Sequence, residues 1–188
     1  MRIISGKFKG KKILEPNDLN TRPLKDLTKE SIFNIIKHLN RFNINFENSE
    51  ILDLFSGTGS FGIECISRGA KFVTFVENYN GILPILKKNL ANLKLASNYL
   101  VIEKNFFNYL NLNQFKKQFD IIFLDPPYKY KNLSNILDQI HKQEILKKNG
   151  IIILHRHKNE KDNFNLNFKL VEKKIYGISK IIFLFNLN

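Results

Sequence analysis

The chain has 188 residues, 43% of them apolar and 12% aromatic, with 30 Lys and Arg against 17 Asp and Glu and a formal net charge of +13. This composition excludes a disordered chain, and the length favours one domain with a sizeable core. The single cysteine, Cys65, excludes an intrachain disulfide and a thiolate metal cluster. The positive charge favours a polyanionic partner such as nucleic acid, although a composition rich in Lys and Asn accounts for part of it.

The sequence carries no signal for a membrane. No apolar run approaches the roughly 20 residues that are needed to span a bilayer. The start, MRIISGKFKG, lacks the apolar core of a signal peptide. We therefore expect a cytoplasmic protein with no membrane partner.

The first 25 residues predict a small β-hairpin and a connector, followed by a larger domain over residues 26–188. Gly6 and Gly10 are placed for the turn of the hairpin. Its basic residues, with no acidic residue among the first twelve, are Arg2, Lys7, Lys9, Lys11 and Lys12. Such a cluster is either a solvated face or a contact for phosphates.

After the connector, helix-like segments alternate with apolar runs. The predicted helices are 28–40, 60–68, 80–94 and 132–147, and the predicted strands are 51–55, 72–77, 99–103, 121–125, 150–155, 168–176 and 180–185. Continuous strands of Ile, Leu, Val and Phe separated by helices predict an α/β fold with a mostly parallel sheet, covered on both faces. A short turn joins the last two of the seven strands, so these two are expected to pair antiparallel at one edge.

Three glycines stand between the first central strand and the next helix, in DLFSGTGSFG over residues 53–62. Glycine lets the backbone turn tightly there and approach a ligand with no Cβ in the way. Glu77 ends the next strand, 20 residues after Gly57. A carboxylate at that place can bind the two ribose hydroxyls of a nucleoside cofactor.

The residues around this loop favour one cofactor over another. A nicotinamide dinucleotide fits the glycines and Glu77, but its enzymes usually need a further substrate domain. Asp53 would place an anion beside a pyrophosphate, whereas it suits the ammonium of S-adenosylmethionine, which carries no phosphate. Asn105, just past the third strand, can then hydrogen-bond the adenine, and Phe106 can pack on its face.

The stretch DPPY, residues 125–128, follows the fourth strand at the edge where a cofactor crevice is expected. The Asp125 carboxylate and the Pro126 carbonyl can each accept an N–H from an exocyclic amino group. Pro126 and Pro127 stiffen the chain, and Tyr128 can stack on a flipped base. Because positive charge grows on the amine nitrogen during methylation, an adjacent carboxylate stabilises the transition state.

These motifs resemble those of the class I S-adenosylmethionine-dependent methyltransferases that modify amino groups. More narrowly, the chain is similar to the bacterial ribosomal RNA small subunit methyltransferase D family, which methylates the exocyclic N2 of one guanine. The stretches that carry this resemblance are RIISGKFKGKKI, TRPLKDLTKESIFNII, ISRGA, DPPY and YGISKIIFLF. The resemblance implies a Rossmann-like sheet, S-adenosylmethionine as the cofactor, and ribosomal RNA or the small ribosomal subunit as the partner of a monomer.

The resemblance also implies roles for individual residues. The residues implied to bind the cofactor are Asp53, Phe55, Ser56, Gly57, Thr58, Gly59, Gly62, Glu77, Asn78, Asn105 and Phe106. Those implied to act in catalysis are Asp125, Pro126, Pro127 and Tyr128. Those implied to bind RNA are Arg2, Lys7, Lys9, Lys11, Lys12 and Arg22.

The stretch HRHK, residues 155–158, follows the fifth strand. A metal site at His155 and His157 is not favoured, because no further ligands stand at matching spacing, and we expect no metal. Arg156 is an alternative contact for a phosphate.

Other functions remain open at this point. A DNA adenine or cytosine amino-methyltransferase, or one that acts on another RNA, can use the same loop. A protein-glutamine methyltransferase has less need of a basic hairpin. A basic RNA-binding assembly protein with an inactive methyltransferase fold would explain the charge but not an intact DPPY.

Overall fold

The computed structural model of the protein describes residues 1–16, 23–38, 44–94, 98–105, 117–127, 130–162, 164 and 167–186. Its strands are β1 (Glu50–Leu54), β2 (Phe72–Val76), β3 (Tyr99–Ile102), β4 (Phe119–Leu124), β5 (Leu146–His157), β6 (Phe168–Tyr176) and β7 (Ser179–Asn186). They form one sheet in the order β3-β2-β1-β4-β5-β7-β6. The first five strands pair in parallel, whereas β7 pairs antiparallel with both β5 and β6. The predicted fold class is confirmed.

Helices cover both faces of this sheet. They are α1 (Asp26–His38), α2 (Ser60–Ser67), α3 (Leu83–Asn92) and α4 (Leu133–Lys142), and a 3₁₀ helix spans Phe46–Asn48. Alternate residues along the central strands belong to two separate apolar clusters: Ile51 shares its cluster with residues of α1, α2 and α3, and Leu52 shares its cluster with residues of α4. Cys65 is buried in the first cluster. Among the residues that the structure describes, no helix is long and apolar enough to cross a membrane.

The predicted helix over 132–147 is too long. It ends at Lys142, and Glu144 then adopts a left-handed backbone with φ of 51°. This residue turns the chain, and β5 begins at Leu146, which pairs with Phe119. Ile145 and Leu146 are therefore buried at the start of β5 and are not part of the helix. Hydrophobic periodicity alone does not distinguish the end of a helix from the start of a buried strand.

The parallel strands β1 and β4 are neighbours at the centre of the sheet, where the strand order reverses. Their registers align Asp53 with Phe123 and Leu54 with Leu124. Ligands of open α/β sheets bind outside the carboxyl ends of the strands at such a switch point. The glycine loop follows β1 and the Asp125 turn follows β4, so both lie at this edge.

The first residues of the chain form an antiparallel turn that lies along α2. Backbone bonds join Ile3 N to the Lys11 carbonyl at 2.9 Å and Ile13 N to the Met1 carbonyl at 3.0 Å. An isolated antiparallel bridge joins Arg2 to Lys12, so the predicted hairpin pairs without forming long strands. Because Ile3 and Ile13 are buried in the first apolar cluster, this segment is packed into the main core.

The direction of the hairpin follows from its bonds to α2. The Lys29 side chain bonds the Arg2 carbonyl at 2.7 Å and Ser60 Oγ at 3.1 Å, so the hairpin base lies near the first residue of α2. At the tip, Lys7 N bonds the carbonyl of Ser67, the last residue of α2, at 2.7 Å. Seven residues of helix separate the two ends by about 10 Å. The base therefore lies toward the carboxyl edge of the sheet and the tip toward the opposite edge.

Buried charges hold the hairpin in place. The Glu64 carboxylate of α2 accepts the Ile4 and Ser5 amides at 2.7 and 3.0 Å and lies 3.9 Å from Lys29 Nζ. Burial lowers the pKa of Lys29, and the Glu64 and Asp26 carboxylates oppose that shift. Arg2 lies 3.9 Å from Asp26, an acidic neighbour that the local sequence does not reveal.

Candidate active site

A cavity of about 520 Å³ opens at the carboxyl edge of the sheet, between the loop after β1 and the turn after β4. Its lining residues are Leu24, Asp53, Phe55, Ser56, Gly57, Thr58, Ser60, Phe61, Glu77, Asn78, Tyr79, Ile82, Phe123, Asp125, Pro126 and Pro127. Three of them are acidic, and none of those that the structure describes is Lys or Arg. A volume of this size suits a small-molecule ligand, and the charge favours a cationic one over a phosphate.

The loop after β1 is held in a strained conformation. Phe55, Gly57 and Gly59 have positive φ angles of 59°, 54° and 80°. For Phe55 this backbone is unfavourable, and such strain is found most often at functional sites. Ser56 fixes the loop to the next strand, because its hydroxyl donates to the Asp53 carbonyl at 2.6 Å and accepts Val76 N–H at 3.0 Å.

Asp53 is an acid buried beneath the loop, with only 1% of its surface exposed. Its Oδ2 accepts the Gly62 N–H at 3.0 Å. Burial raises the pKa of Asp53 well above its usual range; the Asp125 and Glu77 carboxylates raise it further, and the Gly62 bond opposes the shift. A cation in the cavity would relieve this cost, so the carboxylate is suited to a positively charged ligand.

Asp53→Asn is expected to raise the free energy of unfolding of the ligand-free protein at neutral pH. The pKa of Asp53 in the folded state lies above the ordinary value of about 3.9, so the folded state binds the proton more tightly than the unfolded state. The free energy of unfolding of the wild-type protein therefore falls as the pH rises from the ordinary pKa toward the folded-state pKa. Asparagine carries no charge and its carbonyl can still accept the Gly62 N–H. Urea unfolding from pH 4 to 8 measures both proteins, and parallel stability curves would contradict the expectation.

Glu77 directly follows β2, and only 8% of its surface is exposed. Its Oε2 accepts the Gly57 N–H at 2.8 Å, and its Oε1 accepts the Asn78 and Tyr79 N–H groups, each at 2.8 Å. A carboxylate offers about four acceptor sites, so Glu77 both ties the glycine loop to β2 and keeps acceptor capacity on Oε2.

Asp125 follows β4 with its backbone N–H 3.3 Å from the Leu54 carbonyl. Its Oδ1 lies 2.9 Å from Nδ1 of His155, and Nε2 of that histidine lies 2.9 Å from Ser179 Oγ. The carboxylate lines the cavity together with Pro126 and Pro127. Three neighbouring strands therefore supply a hydrogen-bonded row of side chains that ends at the cavity.

Comparison with known proteins identifies the family. The model of the family described as "Conserved hypothetical protein 95" matches residues 1–185. Ribosomal RNA small subunit methyltransferase D of Haemophilus influenzae is 34% identical over 179 residues, which cover 95% of this chain and 90% of that protein. The chain belongs to this methyltransferase family.

Solved structures agree with this assignment. A candidate methyltransferase from Escherichia coli matches with a TM-score of 0.81 and 27% identity, covering 99% of this chain and 97% of that one. A candidate methylase from Haemophilus influenzae matches with a TM-score of 0.78 and 33% identity, covering 100% and 98%. The resemblance drawn from the sequence motifs is confirmed, together with the Rossmann-like sheet.

Most of the site residues expected of this methyltransferase lie together at the cavity. The expected residues among its lining are Asp53, Phe55, Ser56, Gly57, Thr58, Glu77, Asn78, Asp125, Pro126 and Pro127. Gly59, Gly62 and the exposed Asn105 do not line it. Phe106, Tyr128 and Arg22 lie outside the described residues.

Gly59 and Gly62 serve packing behind the loop. A Cβ on Gly62 would stand 2.3 Å from Cε1 of Phe75 on β2, and one on Gly59 would stand 2.5 Å from Leu86 on α3. The space that these two glycines leave is occupied by the side chains of Phe75 and Leu86, and their predicted contact with the cofactor stays a prediction.

The HRHK stretch also takes a different role from the one considered. Arg156 is buried, with Nε bonded to Asp162 at 3.0 Å and a guanidinium nitrogen 3.4 Å from Glu160, so the alternative of a phosphate contact is wrong. Among the described residues, no group of three or more His, Cys, Asp or Glu is arranged to hold a metal ion.

Sequence reasoning missed several residues of the site. Leu24, Tyr79 and Ile82 line the cavity. Leu24 lies in the stretch TRPLKDLTKESIFNII, which carries the family resemblance but was given no role at this position, and Tyr79 and Ile82 lie in the loop after β2, where no motif marks them. His155 was considered only as a metal ligand. Its partner Asp125 is 30 residues away, and the signal that links them is the parallel register of β4 and β5, which aligns Leu124 with Leu154.

Proposed function

We propose that this methyltransferase transfers a methyl group from S-adenosylmethionine to the exocyclic N2 amino group of a guanine in small-subunit ribosomal RNA. The observation that carries the proposal is the cavity shared by the strained glycine loop and the Asp125 turn, with three acidic lining residues. The name of the Haemophilus influenzae relative supports the ribosomal RNA substrate. The guanine N2 position rests on the family resemblance.

The residues of the cavity fit S-adenosylmethionine. Asp53 suits its ammonium group. The raised pKa shows that the buried carboxylate is costly to keep charged, and no Lys or Arg among the described lining residues offsets that cost, so a bound ammonium would do so. Glu77 Oε2 accepts a ribose hydroxyl, since its Oε1 is already occupied by two backbone N–H groups. Phe55 and Ile82 supply apolar surface. A dinucleotide fits less well, because its pyrophosphate would meet carboxylates.

Asp125 acts on the substrate amine. When bound, S-adenosylmethionine supplies an electrophilic methyl group, whose bond to sulfur breaks with the electron pair left on sulfur as the amine nitrogen bonds to the carbon. The Asp125 carboxylate accepts an N–H of the amine, stabilises the positive charge that grows on nitrogen and takes the proton that nitrogen loses. Pro126 and Pro127 hold this turn in one conformation. Tyr128 stacks on the flipped guanine.

Calorimetric titration tests the cofactor. We expect binding of S-adenosylmethionine and none of NAD, and Glu77→Ala should weaken binding by about 1.5–3 kcal/mol because a charged hydrogen-bond acceptor is lost. Glu77→Gln is the matched control, since its carbonyl can keep the Asn78 and Tyr79 bonds while the charge is removed. Tight binding of NAD without binding of S-adenosylmethionine would overturn the proposed cofactor.

Transfer of a labelled methyl group tests the substrate. Ribosomal RNA, small ribosomal subunits, DNA and protein are offered in parallel, and the modified base is identified by mass spectrometry of nucleosides. We expect N2-methylguanine from ribosomal RNA or small subunits. Label in DNA alone would identify a DNA amino-methyltransferase, and RNA binding without transfer to any substrate would identify an inactive RNA-binding protein.

The base of the hairpin is the part of it best placed to hold RNA. The side chains of Arg2, Lys7, Lys9, Lys11 and Lys12 are exposed. Lys7 and Lys11 lie 5.6 and 5.1 Å from the centre of the Phe8 ring, within the range of a cation–π contact. Only Arg2 and Lys12 lie at the base, near the cavity end of α2. They are therefore the hairpin residues closest to the backbone that flanks a flipped guanine.

The double substitution Arg2→Gln and Lys12→Gln is expected to weaken RNA binding. It should also make the plot of log K against log [salt] less steep, by about 0.7 in slope per lost phosphate contact. Lys7→Gln with Lys9→Gln removes the same charge at the tip, about one length of α2 farther away, and should have the smaller effect. Filter binding from 50 to 300 mM salt measures both pairs. Equal losses would indicate a diffuse charge effect, and wild-type binding by both pairs would remove the hairpin from the RNA surface.

A further inference from the structure

We propose that His155 is a positioning residue for methyl transfer: it fixes the Asp125 carboxylate through a hydrogen-bonded row that ends on Ser179. The proposal rests on the proposed function, because it assigns His155 a purpose only if Asp125 meets the substrate amine. The row is short and continuous, with 2.9 Å from Asp125 Oδ1 to His155 Nδ1 and 2.9 Å from His155 Nε2 to Ser179 Oγ.

The sheet brings these three side chains together. Leu124 of β4 is in register with Leu154 of β5, so the residues that follow them, Asp125 and His155, are neighbours across the parallel pair. On the other side, β7 pairs antiparallel with β5, and Ser179 is in register with His157. The row therefore crosses β4, β5 and β7 at the carboxyl edge of the sheet, where the cavity lies.

Burial leaves the imidazole little choice of partners. His155 is 1% exposed and Ser179 is 8% exposed. A carboxylate oxygen can only accept a hydrogen bond, so Nδ1 carries a proton and donates to Asp125; in the neutral ring, Nε2 then accepts the Ser179 hydroxyl proton. Both ring nitrogens are used, so a rotation of the ring would break a buried hydrogen bond to Ser179 and a partly buried one to Asp125, each costly to lose.

This arrangement gives the carboxylate one orientation. With Oδ1 bonded to Nδ1 of His155, the carboxylate is held in place before the substrate amine arrives. Charge stabilisation in a transition state depends on groups that are already aligned before the reaction. His155 does not contact the reacting atoms, so its contribution passes through the geometry of Asp125.

His155→Leu is expected to lower kcat for methyl transfer by about 10–100-fold, by analogy with the loss found when the hydrogen-bond partner that orients a metal-binding side chain is removed. KM for RNA and the dissociation constant of S-adenosylmethionine should change by less than about threefold, because neither the hairpin nor the glycine loop is altered. His155→Asn, whose amide can donate near the position of Nδ1, should recover part of kcat. Ser179→Ala removes only the far end and should cost less.

The decisive measurement repeats His155→Leu in an Asp125→Ala protein. If His155 acts through Asp125, the second substitution causes no further loss of kcat. If the double variant loses kcat by the same factor again as His155→Leu does alone, and both the Asp125→Ala protein and the double variant are folded, the proposal is overturned. Wild-type kcat in the His155→Leu single variant would overturn it too. Wild-type kcat in His155→Leu together with an impaired Asp125→Ala protein would overturn the role of His155 but leave the proposed function standing. A fully active Asp125→Ala protein would overturn the role of Asp125 as well.

Nitrogen-15 NMR of the ligand-free protein gives a readout that does not depend on activity. The His155 ring is expected as the tautomer with its proton on Nδ1, and this signal should persist in Ser179→Ala. A proton found on Nε2 with Nδ1 unprotonated would contradict the donor role of His155 toward Asp125.

Discussion

Asp125→Ala is expected to lower the rate of methyl transfer by about 10²–10³, the scale seen when one preorganised polar group is removed from a charged transition state. The side chain lines the cavity, and its carboxylate is fixed by His155 at 2.9 Å. Asp125→Asn should retain more activity, because its carbonyl still accepts one N–H of the amine. Single-turnover transfer of a labelled methyl group measures all three proteins.

Two controls separate chemistry from folding in this experiment. The backbone bond from Asp125 N–H to the Leu54 carbonyl does not depend on the side chain, so the turn should persist in the variant. The variant leaves Nδ1 of His155 without its carboxylate, and we expect a loss of unfolding free energy of about 1–3 kcal/mol. Affinity for S-adenosylmethionine should change little. A wild-type rate in a folded Asp125→Ala protein would show that the turn is structural only.

Gly6→Ala should be the most destabilising of the hairpin substitutions. Gly6 has a φ of 82°, and a Cβ there would stand 1.8 Å from the carbonyl oxygen of Ser67, which is backbone and cannot move aside. We expect a loss of about 2–5 kcal/mol of unfolding free energy, the sum of left-handed strain and overpacking. Equilibrium unfolding in urea measures it.

Gly10→Ala is the matched control for this substitution. Gly10 has nearly the same φ, 84°, but a Cβ there would meet no atom within 4 Å. Only the backbone strain of about 1–2 kcal/mol should remain. Equal losses in the two variants would mean that the contact between the hairpin tip and α2 is not formed in solution.

The local sequence determined most of the architecture. Buried parallel strands must be apolar on both faces, and helices must cover them, so the alternation of Ile-rich runs and helical segments was enough to predict the order of elements and the antiparallel edge. It also placed Asp53 and Asp125 near the carboxyl ends of strands that finish at the same edge of the sheet. The boundary of α4 could not be predicted, because the short apolar pair Ile145 and Leu146 fits the last turn of a helix as well as the start of a strand.

Only the tertiary structure decided which distant side chains meet. The pairing of β5 with both β4 and β7 sets His155 between Asp125 and Ser179, residues 30 and 24 positions away along the chain. The close approach of Phe75 explains why position 62 is glycine, and the contacts of Lys29 and Ser67 set the direction of the hairpin. Periodicity reports how one segment is buried, whereas strand register and helix packing, which act between segments, fix these neighbours.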